Sequence, residues 1–194
     1  MTTNGYFGAA RDRFPVAAVD TLTSTFTMKK RRPKEINTLG RRIHVGTPHN
    51  LTAIRSGQYW QRAGTEKFED YQESLHPKLM EGMQYLLDNK EKTGTLSLRV
   101  MTNINENGSE RNETSVNAYF SSLACMEHWA SHHPTHQRIY EHAIAKNRQY
   151  GKEREVVTWR EVFLLNSGPA FEYVNCHPET GIMPFCSLYE RIAP

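Results

Sequence analysis

The chain has 194 residues, 38% of them hydrophobic and 23% charged, which suits a globular protein with a sizeable core. A net charge of +3 is too small to point to nucleic acid, and no apolar run approaches the roughly 18 residues that span a bilayer. Met1–Ala10 lacks a basic stretch followed by an apolar one, and Cys125, Cys176 and Cys186 show no CxxC spacing. The expectation is a cytoplasmic protein with reduced thiols and no membrane or nucleic-acid partner.

Residues 1–49 are punctuated by Gly5, Gly8, Pro15, Pro33, Gly40, Gly46 and Pro48 and read as an extended arm, with a short strand at Arg42–Val45. Within the arm, Lys29–Lys34 is a concentrated basic run, read as a solvated loop. From residue 50 the patterning becomes regular. Asn50–Gly57 is a short strand. Residues 66–89 carry Phe68, Tyr71, Leu75, Leu79, Met83 and Leu86 at three- and four-residue steps, which predicts an amphipathic helix that Pro77 should bend. Leu96, Leu98 and Val100 alternate with polar neighbours, as do Val116, Ala118 and Phe120, with a turn at Asn105–Gly108 between them. That is a hairpin.

A second helix, capped by Ser121 or Ser122, carries Leu123, Met126, Trp129, His133, His136 and Tyr140 on one face, with a kink or restart at Pro134. Val156–Leu165 is a strand apolar on both sides, Phe171–Cys176 a further strand, and Gly181–Pro194 a tail. The order β-α-β-β-α-β predicts an α+β, ferredoxin-like domain over 50–194, an antiparallel sheet with both helices on one face. The doubly apolar strand implies that a cofactor, the arm or a second copy of the sheet covers the other face.

Five histidines cluster at His128, His132, His133, His136 and His142. His132 and His136 have metal-ligand spacing, but the glutamate of an HExxH motif is absent and no cysteine stands at ligand spacing, so the signal for zinc is weak. Haem iron needs only one helical histidine beside an apolar pocket, and Trp129, Ile139 and Tyr140 offer part of one. No P-loop, GxGxxG or nucleophile-elbow motif is present.

Four segments, in order along essentially the whole chain, resemble the haem-containing aldoxime dehydratase family, the phenylacetaldoxime dehydratase type included. They are Gly5–Arg13 (GYFGAARDR), Asn50–Trp60 (NLTAIRSGQYW), His132–His136 (HHPTH) and Phe171–Gly181 (FEYVNCHPETG). The resemblance implies a haem-dependent lyase that converts an aldoxime to a nitrile plus water, with the substrate nitrogen on the ferrous iron of a haem b. It implies His136 as the axial iron ligand, with His133 as the alternative, and Ser56 as a hydrogen-bond partner of the substrate hydroxyl. An arginine of the Arg11–Arg13 segment would do the same, either Arg13 or Arg11. Where the family has a histidine acid, in a strand segment reading aromatic-His-Glu-aliphatic, this chain reads Trp159-Arg160-Glu161-Val162.

Arg160 is a poor proton donor at neutral pH. The lyase reading for an aldoxime or related N–O substrate therefore stands against an alternative, a haem- or small-ligand-binding ferredoxin-like module without turnover. The family chain is also about twice as long and packs two related halves. This chain matches the C-terminal one, which implies a dimeric α/β-barrel arrangement completed by a homodimer partner or a separate N-terminal half.

Overall fold

A computed structural model describes residues 9–28 and 37–190. The Lys29–Lys34 run, and the first four residues of the Gly5–Arg13 segment, lie outside the described residues.

The larger sheet joins β2 (Leu51–Tyr59), β3 (Thr95–Ile104), β4 (Glu110–Phe120) and β5 (Val157–Leu165) in the spatial order β3-β4-β2-β5, with every neighbouring pair antiparallel. Between β2 and β3 the chain forms α1 (Thr65–Asp70), a π-helical turn at Tyr71–Leu75, α2 (His76–Asp88) and the short α3 (Lys90–Thr93). Between β4 and β5 it forms α4 (Leu123–His132) and α5 (Pro134–Tyr150).

Pro77 does not break the first helical run. It sits in the first turn of α2, where a missing N–H costs least, and the preceding π turn absorbs the change in ladder. That turn points Tyr71 inward, where it stacks on Trp60 at 4.0 Å between ring centroids. Pro134 does end a helix. Ser122 opens α4, its Oγ accepting from the Cys125 N–H at 3.1 Å. α5 then restarts with His133 as its N-cap, the ring Nδ1 accepting from the Thr135 N–H at 3.3 Å.

Leu79, Met83, Leu86, Leu123, Met126 and Trp129 of the helices meet Leu98, Val116, Ala118 and Phe120 of the sheet in one core. Full burial of side chains of this size contributes roughly 1.5–3 kcal/mol each.

Two expectations fail. The C-terminal segment is not only a tail. Ser187–Glu190 forms β7, which pairs with β1 (Arg42–Thr47), and β1 also pairs with β6 (Gly168–Val174). These strands make a separate three-stranded sheet, β6-β1-β7. The arm's strand thus belongs to a second layer. It packs Ile43, Val45, Phe171, Tyr173 and Leu188 against Leu51, Leu96, Tyr119 and Leu165 on the helix-free face of the larger sheet. Tyr119 meets Phe171 edge-on at 5.6 Å.

Nor is β5 buried on both faces. It is an edge strand, every one of its residues keeps some exposure, and Phe163 is 49% exposed. The second sheet covers only part of the helix-free face, so Met101 and Phe163 remain open there.

Gly57 controls the β2–β5 contact. A Cβ at this position would lie 2.5 Å from Trp159 Cζ2 and 2.7 Å from the Thr114 carbonyl oxygen. The carbonyl is backbone and cannot move aside cheaply. We expect Gly57→Ala to destabilise the fold by about 2–3 kcal/mol, a drop of roughly 5–10 °C in Tm for a chain of this size. A circular-dichroism melt within 1–2 °C of wild type (roughly 0.5 kcal/mol) would contradict this packing.

Candidate functional site

The antiparallel register decides which side chains reach the helices. On β2, Ile54, Ser56 and Gln58 alternate toward them. Ser56 is flanked across the ladder by Val116 and Arg160, Ile54 by Ala118 and Val162, and Gln58 by Thr114 and Thr158. At the Ser56 row the helix-side face is therefore apolar toward β4, at Val116, and charged toward β5, at Arg160. Helix α5 closes it from above, bringing His136 in its first turn over the same region.

Two adjoining cavities lie between sheet and helices. The larger is about 680 Å³, a size suited to a cofactor or small molecule. His136, Arg160, Ile54, Met126, Trp129 and Tyr140 line both. Ser56, Gln58 and Thr158 line the smaller one, and Glu127 the larger.

His136 is the group most altered by this setting. Trp129 meets its ring edge-on at 4.8 Å. Its Nδ1 is buried and has no well-formed hydrogen bond, although the nearby Ala130 backbone favours the protonated ring somewhat. Burial dominates, and with the repulsion of Arg160 it pushes the imidazole from 6.5 down to about 4. The ring is neutral at pH 7, the state in which imidazole binds a metal.

Ser56, His136 and Arg160 are thus brought together. His133 is not. It lines neither cavity, stacks on Tyr85 at 3.7 Å, and its Nδ1 is 2.8 Å from the Thr135 hydroxyl as part of the α5 cap. Metal-ligand spacing of His132 with His136 also fails, because the two sit on different helices. His132 is exposed, stacked on His128 and hydrogen-bonded to Ser131 at 2.7 Å. Among the described residues no three His, Cys, Asp or Glu side chains form a metal-holding group.

Arg11 and Arg13 lie in a short 3₁₀ turn and line neither cavity. Arg11 is held by Glu127, which accepts its backbone N–H at 3.0 Å and its Nε–H at 2.9 Å, so its guanidinium is fixed beside the wall of the larger cavity. Arg13 is exposed and has an interaction of its own.

Reasoning from the sequence passed over Gln58, Thr158 and Glu127. The first had a signal, since it follows Ser56 by two residues on a strand and must share its face. Glu127 had none, because its role rests on Arg11, which is distant in sequence.

A model of the family described as haem-containing dehydratase matches residues 1–182. The phenylacetaldoxime dehydratase of Bacillus sp. (strain OxB-1) is 32% identical over 190 residues, covering 97% of this chain and 54% of that protein. The aliphatic aldoxime dehydratase of Pseudomonas chlororaphis is 32% identical over 181 residues, covering 93% and 50%. A crystal structure of an aldoxime dehydratase in complex with butyraldoxime superposes with a TM-score of 0.79 at 29% identity, covering 93% of this chain and 49% of that one. The chain spans about half the length of the relatives it matches. No helix among the described residues is long and apolar enough to cross a membrane.

The depressed pKa of His136 makes stability depend on pH without added haem. Its folded value lies below its unfolded one, so the unfolded chain binds the extra proton first as pH falls. The neutral ring's contribution is complete above about 6.5 and is lost on the way down to about 4, a loss of about 3 kcal/mol. Urea midpoints at pH 7 and pH 4 should fall less for His136→Phe than for wild type. Identical falls would place the imidazole in water.

Proposed function

The chain belongs to the haem-containing dehydratase family, and from that premise we propose that it is the haem-holding, substrate-holding half of an aldoxime-dehydrating lyase. The observation that carries the reading is the convergence of a neutral imidazole, His136, with the Ser56 hydroxyl and the Arg160 guanidinium on one largely apolar cavity.

The site suits the family's haem on its own terms. A flat apolar group needs apolar walls, and Ile54, Met126, Trp129 and Val162 provide them. The iron would be held by a neutral imidazole on a firm element, and His136, neutral and in the first turn of a helix, would be that residue. We assign His136 as that ligand in preference to His133, which lines neither cavity and caps α5. When bound, haem b supplies a ferrous centre that holds the oxime nitrogen and electrons that weaken the N–O bond.

The rest falls to the protein. In R–CH=N–OH → R–C≡N + H₂O the oxime oxygen leaves as water, so it must gain a proton as the N–O bond breaks. Ser56 is assigned to hydrogen-bond that oxygen and fix its direction. Arg160, its cross-strand neighbour, is assigned to stabilise the negative charge that develops there. A guanidinium holds its proton too tightly to give it up near pH 7, so Arg160 supplies field and hydrogen bonds, not acid. Of the two arginines in the N-terminal segment, Arg11 is the better placed, because Glu127 fixes it beside the cavity wall.

Arg160 also favours a second reading, a haem- or ligand-binding module without turnover. Both readings share one architecture. The order β3-β4-β2-β5 supports reading the larger sheet as a split βαβ, ferredoxin-like one. The open face beside Phe163 and Met101 suits a second unit, either another copy of this chain or a separate N-terminal half, in a barrel-like pair.

Spectroscopy and turnover separate the readings. The purified chain with added haemin and dithionite should give a stoichiometric Soret band that shifts or weakens in His136→Ala. No band in wild type would count against the lyase and against a haem-binding module, and leave only a module for a small non-haem ligand. With haem bound, Arg160→His should raise conversion of phenylacetaldoxime or butyraldoxime by on the order of 10², the usual worth of a general acid. No gain would favour the binding module.

A further inference from the structure

One hydrogen-bond donor in the cavity has a direction set by the protein and no role so far. Gln58 is buried and lines the smaller cavity two residues along β2 from Ser56, on the same face. A line of polar groups behind it fixes its amide. The Thr114 hydroxyl donates to Gln58 Oε1 at 2.7 Å. With its single proton used there, Thr114 accepts from the Tyr71 hydroxyl at 3.3 Å. Tyr71 in turn has only lone pairs left for His76, so His76 Nδ1, at 3.4 Å, is the donor of that weaker contact.

Burial pushes the Tyr71 phenol up to about 12, so it stays protonated near neutral pH. The polarity therefore runs one way, from His76 inward to the amide oxygen. It leaves Gln58 Nε2 with its N–H groups unspent, since no acceptor for them stands among the described residues. The nitrogen is not sealed in protein either. Among the described residues the side-chain nitrogens sealed in protein without a hydrogen bond do not include it, and Gln58 opens on the cavity.

We propose that Gln58 Nε2 is a substrate-binding donor that takes the oxime oxygen together with Ser56, and that Thr114 is the positioning residue that aims it. The inference rests on the aldoxime reading above. Alternate residues on a strand stand about 6–7 Å apart, so a hydroxyl at 56 and an amide at 58 can converge on one oxygen from two sides. The ligand atom must offer a free lone pair, as the oxime oxygen does, because the aimed group has only protons to offer. The chain of hydroxyls ends in a carboxamide, which does not pass protons on readily. It orients the substrate and does not replace the missing acid.

Calorimetric titration with acetophenone oxime, on the purified chain with and without added haemin, tests this. A ketoxime has no hydrogen on its oxime carbon, so it binds without dehydration. Gln58→Glu keeps an oxygen for Thr114 but turns the cavity donor into an acceptor, and Gln58→Leu removes both functions. Each should weaken the oxime Kd by roughly tenfold or more. Thr114→Val should weaken it several-fold, and Thr114→Ser, which keeps the hydroxyl, should restore it. Melting curves check that every variant is folded. Should Gln58→Leu fail to fold, Gln58→Glu carries the comparison. Wild-type binding that Gln58→Glu leaves within twofold would overturn the assignment. Absence of oxime binding by wild type in both forms would overturn the aldoxime reading, and this inference with it.

Discussion

On β2, Ser56 and Gln58 face the helices because Gly57 between them faces the other way, and Gly57 can lie there only because it carries no side chain. Trp159 occupies the space a Cβ would need. The guanidinium of Arg55 lies over the same indole, 5.0 Å from its centroid. The indole thereby pins β5 to β2 in a single register. A slip of one residue would turn Arg160 out to the opposite face and bring Trp159 or Glu161 in. The polar corner of the cavity thus depends on a packing contact on the far side of the sheet.

The second element of the site depends on a broken helix. Had α4 run on through Pro134, His132, His133 and His136 would share one continuous cylinder. The break spends His133 as a cap and leaves His136 in the first turn of a new helix, directed at the cavity. The positive end of the helix dipole also disfavours an imidazolium there, so local backbone and burial act in the same direction. A ring held neutral by position is available as a ligand without first giving up a proton.

Much of this was legible in the residues. Alternation in 96–100 and 116–120, the three-and-four spacing in 66–89 and the Pro134 break all describe local geometry, and local geometry follows sequence period. Ser56, His136 and Arg160 could be named as candidates from the family resemblance, though no spacing rule could bring them together. The pairing of β1 with β6 and β7 was not legible. Ladder partners are set by long-range packing of Ile43 and Val45 under the loop carrying Ile182 and Met183, and four short residues at 187–190 give no periodic signal. The doubly apolar pattern of β5 points to burial on both faces. An edge strand can carry apolar residues on its outer side, and Phe163 is exposed as one of them. The hydroxyl line behind Gln58 joins Tyr71 to Thr114 across 43 residues and is visible only once α1 and α2 are folded onto the sheet.

Arg160 has two consequences that pull in different directions. As a permanent cation beside the cavity it adds to the forces that keep His136 unprotonated, which favours a nitrogen ligand. The same permanence withholds the proton that a leaving hydroxide requires. The substitution therefore separates two properties that a histidine at this position would combine, holding an oxygen-bearing ligand and delivering a proton to it. With Ser56, Gln58 and Thr158 all neutral donors on the same wall, the cavity is better furnished to orient an N–O group than to protonate one.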